Sequence, residues 1–127
     1  MIILKGGGNL ATHGFGIMDE IMYDVDYVSY EPEEYNCIFI DDDFIDAIIH
    51  NYLVDFKNMK TYFHNTSNLE WGLNYCGITL IPSESLQNFK DIITKANIHY
   101  KSFELESLIK VISDAINKNK FIIHYGI

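Results

Sequence analysis

The sequence predicts a mixed α/β (α+β) single domain, with about five or six strands and three or four helices packed on the sheet. Three observations carry this expectation. Short aliphatic runs alternate with amphipathic stretches at the helical period. At 127 residues and 48% hydrophobic side chains, the chain can build one real core. No internal repeat or linker divides it, so 1–127 reads as one domain.

In chain order, Ile2–Lys5 is a first aliphatic strand. Residues 6–16 hold five of the eight glycines and read as a loop. A short helix over Ile17–Tyr23 and a strand over Tyr27–Tyr30, stopped by Pro32, are expected next. Cys37–Ile40 is a buried strand, and Asp41 or Asp42 is a plausible cap because a carboxylate accepts from free N–H groups at a helix start. Phe44, Ile45, Ile48, Ile49, Tyr52, Leu53 and Phe56 then recur as one face of a helix over 43–57. Thr61–His64 and Trp71–Ile81 read as strands around the turn-forming Asn65–Asn68. Pro82 stops the second, and Ser83 or Ser85 can cap a helix through Leu86, Phe89, Ile92, Ile93 and Ala96, closed by Asn97. Leu105, Leu108, Ile109, Ile112, Ala115 and Ile116 give the cleanest helical stripe, and Asn117–Lys120 ends it. Phe121–Tyr125 is a closing strand.

Charge narrows the functional classes. The chain has 18 Asp and Glu against nine lysines, and no arginine, for a net charge of −9. Such a balance opposes a phosphate backbone, so nucleic-acid binding through a basic patch is not expected. The charge is also uneven. Residues 1–56 carry one lysine and 12 acids (1 − 12 = −11), and residues 57–127 carry eight lysines and six acids (8 − 6 = +2). The acids Asp19, Glu20, Asp24, Asp26, Glu31, Glu33, Glu34, Asp41, Asp42, Asp43 and Asp46 follow one another with no cation between them. Tyr23, Tyr27, Tyr30 and Tyr35 are interleaved with them. Self-repulsion on such a surface is relieved by a basic partner, and tyrosine gives contact area at small entropic cost. The expected partner-binding set is therefore these four tyrosines with the acids from Asp19 to Asp43. A plain solvated face and some core tyrosines are the competing explanation.

Other chemistries are less well supported. The five histidines are scattered singly, and Asp41–Asp43 lacks the alternation, central Gly and terminal Glu of a calcium loop, so no metal is expected. Gly6-Gly7-Gly8-Asn9-Leu10-Ala11 matches the spacing of a dinucleotide-binding turn, but Gly14 and Gly16 would fall in the helix it must open. No cofactor is expected. His13, flanked by glycines and near Asp19 and Glu20 in sequence, is the one candidate acid or base for a small enzyme using the Gly6–Gly16 loop. Cys37 and Cys76 read as two buried, inert thiols. No basic leader or long apolar run occurs, so a cytoplasmic protein without membrane contact is the expectation.

The stretch Trp71-Gly72-Leu73-Asn74-Tyr75-Cys76-Gly77-Ile78-Thr79-Leu80-Ile81-Pro82-Ser83-Glu84-Ser85-Leu86 resembles a segment of small bacterial immunity proteins of polymorphic toxin systems. The whole chain, short and acidic, resembles the contact-dependent growth inhibition immunity class. That resemblance implies a non-enzymatic inhibitor whose partner is a cognate toxin C-terminal domain, commonly a nuclease. Nuclease clefts are basic because their substrate is a polyanion, and an acidic, tyrosine-bearing surface complements them. The resemblance carries over no contact residue. A nucleic-acid mimic aimed at a host DNA- or RNA-binding protein is the alternative.

Overall fold

Six strands and four helices make up the computed structural model, which describes residues 11–127. The strands are β1 (Thr12–Met18), β2 (Ile38–Asp41), β3 (Lys60–Phe63), β4 (Leu69–Trp71), β5 (Ile78–Ile81) and β6 (Phe121–Tyr125). The helices are α1 (Asp42–Asn51), α2 (Leu53–Lys57), α3 (Leu86–Tyr100) and α4 (Phe103–Lys118). One sheet results, in the order β2-β1-β6-β5-β3-β4, with every pairing antiparallel. The predicted fold class is the observed one.

Strand alternation divides the sheet into two faces. Phe15, Ile40, Ile81 and Ile122 point into the helix layer, where they meet Ile45, Ile48, Phe89, Ile93, Leu105, Leu108 and Ile112 in the main core. Leu86, Phe89, Ile93 and Ala96 of α3, together with Leu105, Leu108, Ile112 and Ala115 of α4, are the buried stripes that the sequence period marks out. Ser102 starts α4 by accepting from the backbone N–H groups of Glu104 and Leu105, and Lys101 and Asn119 end α3 and α4 in left-handed conformation. Met18, Ile78, Leu80, Ile123 and Tyr125 point to the opposite face. Among the described residues, no α-helix covers them. The connection between β1 and β2 does, with Ile21, Tyr27, Tyr35 and Cys37 packed against them.

Several sequence expectations are corrected here, each for a local physical reason. The expected strand Ile2–Lys5 and glycines 6–8 lie outside the described residues. Residues 12–16, read as loop, are strand β1. Their glycines serve packing between segments. A Cβ on Gly16 would sit 2.6 Å from the Tyr35 carbonyl oxygen and 2.8 Å from the Cys37 sulfur, so the connection can cross β1 closely only over glycine. The chain after Ala11 is therefore strand, and the helix that a dinucleotide turn would open does not form over 12–18.

No helix forms over 17–23 and no strand over 27–30. That segment lies across the sheet, with one Tyr27 N–H donating to the His64 carbonyl (2.7 Å). The helix expected over 43–57 divides at Tyr52 (φ −122°, ψ 37°), and α2 then turns Phe56 into the core. Trp71–Ile81 is interrupted after β4, where Gly72 takes φ +74°. Neither Ser83 nor Ser85 caps α3 with its side chain; the Ser85 hydroxyl donates to the Lys60 carbonyl instead (2.7 Å). Asn97 lies inside α3, where its side-chain oxygen accepts from the Ser102 N–H. No helix in the described residues is long and apolar enough to cross a membrane.

Candidate functional site

Two arrangements of polar residues emerge, on opposite faces of the sheet. The first is the connection from Asp19 to Cys37. Its seven acids, Asp19, Glu20, Asp24, Asp26, Glu31, Glu33 and Glu34, are all exposed, as are Tyr23 and Tyr30. Tyr27 and Tyr35 are half-buried and seat the segment on the sheet, so they join the two roles that the sequence left open. Between the acids stand exposed apolar groups: Met22 (61%), Val25 (38%) and Val28 (72%). Among the described residues, none of these seven carboxylates has a lysine within ion-pair distance.

The segment is pinned rather than loosely laid. The Ser67 hydroxyl donates to Asp24 (2.6 Å) and the Asn65 amide donates to Asp26 (2.8 Å). The Met22 N–H donates to the Tyr27 hydroxyl (2.9 Å), and the His64 ring nitrogen Nδ1 donates to the Tyr27 carbonyl (2.8 Å). A turn at Pro32–Tyr35 ends with Asn36 in left-handed conformation and returns the chain to β2. Burial raises the Tyr35 phenol above its ordinary pKa, and the neighbouring Tyr27, Glu34 and Glu31 act in the same direction.

The three aspartates predicted beside this face divide. Asp41 accepts from the Asp43 N–H (2.8 Å) and caps α1, as the sequence indicated. Asp43 is exposed in the first turn. Asp42 points elsewhere, into the second arrangement.

That arrangement is a chain of hydrogen bonds running through the helix-facing side of the sheet. The His13 Nε2 lies 2.8 Å from Asp42 Oδ1, and the His13 Nδ1 lies 2.9 Å from His124 Nε2. The His124 Nδ1 lies 3.0 Å from the Thr79 hydroxyl, which accepts the Asn74 N–H at 2.8 Å. The Tyr75 hydroxyl donates to both Asp42 oxygens (2.6 and 2.8 Å). His13, Thr79 and His124 are fully buried.

Proton positions follow from the chemistry of the partners. An ionised Asp42 only accepts, so His13 donates from Nε2. A neutral His13 then accepts at Nδ1, and the donor is His124 Nε2–H. The His124 Nδ1 accepts in turn from the Thr79 hydroxyl. Every donor points toward Asp42. Protonating His13 would reverse the His124 tautomer and leave the Thr79 hydroxyl proton without its acceptor.

Burial lowers the His13 pKa, outweighing the Asp42 hydrogen bond and the charges of Asp42 and Asp46. His124 is driven well below the ordinary histidine value by burial and then by His13. Burial pushes the Asp42 carboxyl up, but hydrogen bonds from Tyr75 and His13 more than offset this and hold it below its ordinary value.

His13 is thus not the free, glycine-flanked loop base that the sequence allowed. It is a strand residue with both nitrogens engaged, and its carboxylate partner is Asp42, not Asp19 or Glu20. The cysteine reading also changes. Cys76 is exposed in a turn, and only Cys37 is enclosed, with its thiol pushed up to about 12 by burial and the Glu33 charge. Sequence reasoning missed the pairing of His13 with His124 because 111 positions separate them. The available signal was His124 itself, a polar residue at an inward position of the closing strand. Among the described residues, no group of three His, Cys, Asp or Glu side chains is placed to hold a metal ion.

Comparison with family models, with curated proteins and with solved structures finds no match.

Proposed function

We propose that this protein is an inhibitor that binds a basic protein partner through the Asp19–Cys37 connection, in the manner of an immunity protein neutralising a cognate toxin domain. The observation that carries this reading is the placement of that connection. Among the described residues, it covers a sheet face that no α-helix covers and turns seven carboxylates outward with no lysine paired to any of them. Met22, Tyr23, Val28 and Tyr30 are exposed among the acids, the mixture of Met and aromatic side chains that protein interfaces favour. A basic nuclease domain is the partner class that such a surface complements best, because its cleft is built to attract a polyanion.

The experiment is purification with the protein encoded immediately upstream, followed by assay of that protein's toxicity and nuclease activity with and without this chain. Tight binding and loss of activity are expected. Replacing Glu31 and Glu33 with lysine is expected to slow association about tenfold or more at low salt, the range of electrostatic steering. Unchanged association at low salt would remove the acidic face from the mechanism.

A further inference from the structure

We propose that the cleft at the start of the acidic connection is a seat for one arginine side chain of the protein partner. The inference rests on the docking reading above and names its anchor. The cleft measures about 380 Å³. Met22 and Val25 give it an apolar wall, Tyr27 and Tyr35 give it two phenol rings, and Asp19, Glu20 and Glu34 supply three carboxylates.

This combination selects among side chains. A neutral apolar group would leave three carboxylates desolvated without a partner, which is unfavourable. A carboxylate would be repelled. A long cationic side chain satisfies both requirements, because its methylenes lie against apolar surface while its charge reaches the acids. Arginine fits better than lysine. Its planar guanidinium stacks on aromatic rings and sends five donors to several acceptors at once, whereas an ammonium is a compact, strongly hydrated charge.

The cleft is also formed in advance. The Met22 N–H to Tyr27 hydroxyl bond closes its wall, and the backbone bonds of Tyr27 with His64 hold its floor to the sheet. Preformed anchors of this kind reduce the ordering cost of binding. Lys120 touches the same segment, but its ammonium donates to the Asp19 backbone carbonyl, not to a carboxylate of the cleft. The raised Tyr35 phenol is consistent with an enclosed, negative environment.

The test needs no partner protein. N-acetyl-arginine methylamide is titrated into the labelled chain and followed by amide NMR shifts. The matching citrulline compound, a neutral isostere, and the lysine compound serve as comparisons. Saturable shifts confined to residues 17–35 are expected for arginine, with citrulline weaker by about tenfold or more, the loss of a charged hydrogen-bonding partner. Glu20→Gln with Glu34→Gln should weaken arginine binding to the citrulline level while leaving the rest of the spectrum in place. Equal binding of citrulline, or shifts spread equally over Asp41–Asp46, would overturn the proposal. Equal binding of lysine would overturn the choice of arginine.

The two readings fail separately. If the cleft takes no arginine while the Glu31 and Glu33 reversals still slow association, the docking face stands and its anchor does not. If the cleft binds arginine and those reversals change nothing, the cleft still recognises a guanidinium, but the docking reading falls and with it the assignment of that arginine to a protein partner.

Discussion

Acid should destabilise this protein between pH 7.5 and 5.5, although its overall charge argues for the opposite. At net −9, mild acidification removes negative charge and relieves repulsion, which favours the compact state. The His13–His124 chain acts the other way. An unfolded histidine binds its proton near pH 6.5, whereas buried His124 stays neutral well below that value. The unfolded state therefore takes up the proton that the folded state refuses. Stability from this group is complete above the unfolded pKa and is lost as pH falls from about 6.5 toward the folded pKa. For His124 alone, the change from pH 7.5 to 5.5 is on the order of 1 kcal/mol, roughly a tenfold shift in the folding equilibrium. His13, also lowered, adds a loss of the same sign. Asp42 is depressed as well, but its contribution disappears only at carboxylate pH values, below this window.

The assay is urea unfolding followed by circular dichroism at both pH values. His124→Phe gives a second measurement. It costs stability at pH 7.5, about 1–3 kcal/mol for each of the two partners left unsatisfied, Thr79 and His13. In exchange it should flatten the pH dependence. Equal or greater wild-type stability at pH 5.5 would refute the neutral, one-directional hydrogen-bond chain.

Two further outcomes follow from local geometry. A thiol reagent at neutral pH should label exposed Cys76 quickly and Cys37 only slowly, because the Cys37 thiol is raised to about 12; mass spectrometry of a short time course reads both, and equal rates would contradict the enclosed environment. Gly16→Ala should destabilise by about 1–3 kcal/mol, the usual range for overpacking, since its methyl would meet the Tyr35 carbonyl and the Cys37 sulfur; an unchanged urea midpoint would show that the connection can lift from β1 freely.

Where the chain carries its own periodicity, the sequence was legible. Leu105 to Ile116 and Leu86 to Ala96 show their helices because one face of each is buried, and Phe121–Tyr125 shows its strand by composition. The β1 strand is hidden in the sequence because its glycines signal backbone freedom as readily as close packing. The alternation of His13, Phe15 and Ile17 on one side and glycine on the other is instead that of a strand crossed by another segment. The acids and tyrosines of 19–35 declared a surface, but their seat on the sheet depends on Ile78, Leu80, Ile123 and Tyr125, which are distant in sequence. The histidine pair was invisible for the same reason. Contacts of this kind are set by strand order, and local pattern does not encode strand order.

Strand order has a further consequence, for how the molecule assembles. The β2–β1 pair comes from the early part of the chain and the β5–β3–β4 trio from its middle, and in the strand ladder β6 stands between the two. Until Phe121–Tyr125 docks, each sub-sheet ends in an unpaired edge, and His13 lacks the ring that occupies its inner nitrogen. The central strand is thus a keystone recruited from far along the chain. Loop closure over such distances makes folding slow, and a chain cut before Phe121 would present two sticky strand edges in place of one continuous sheet.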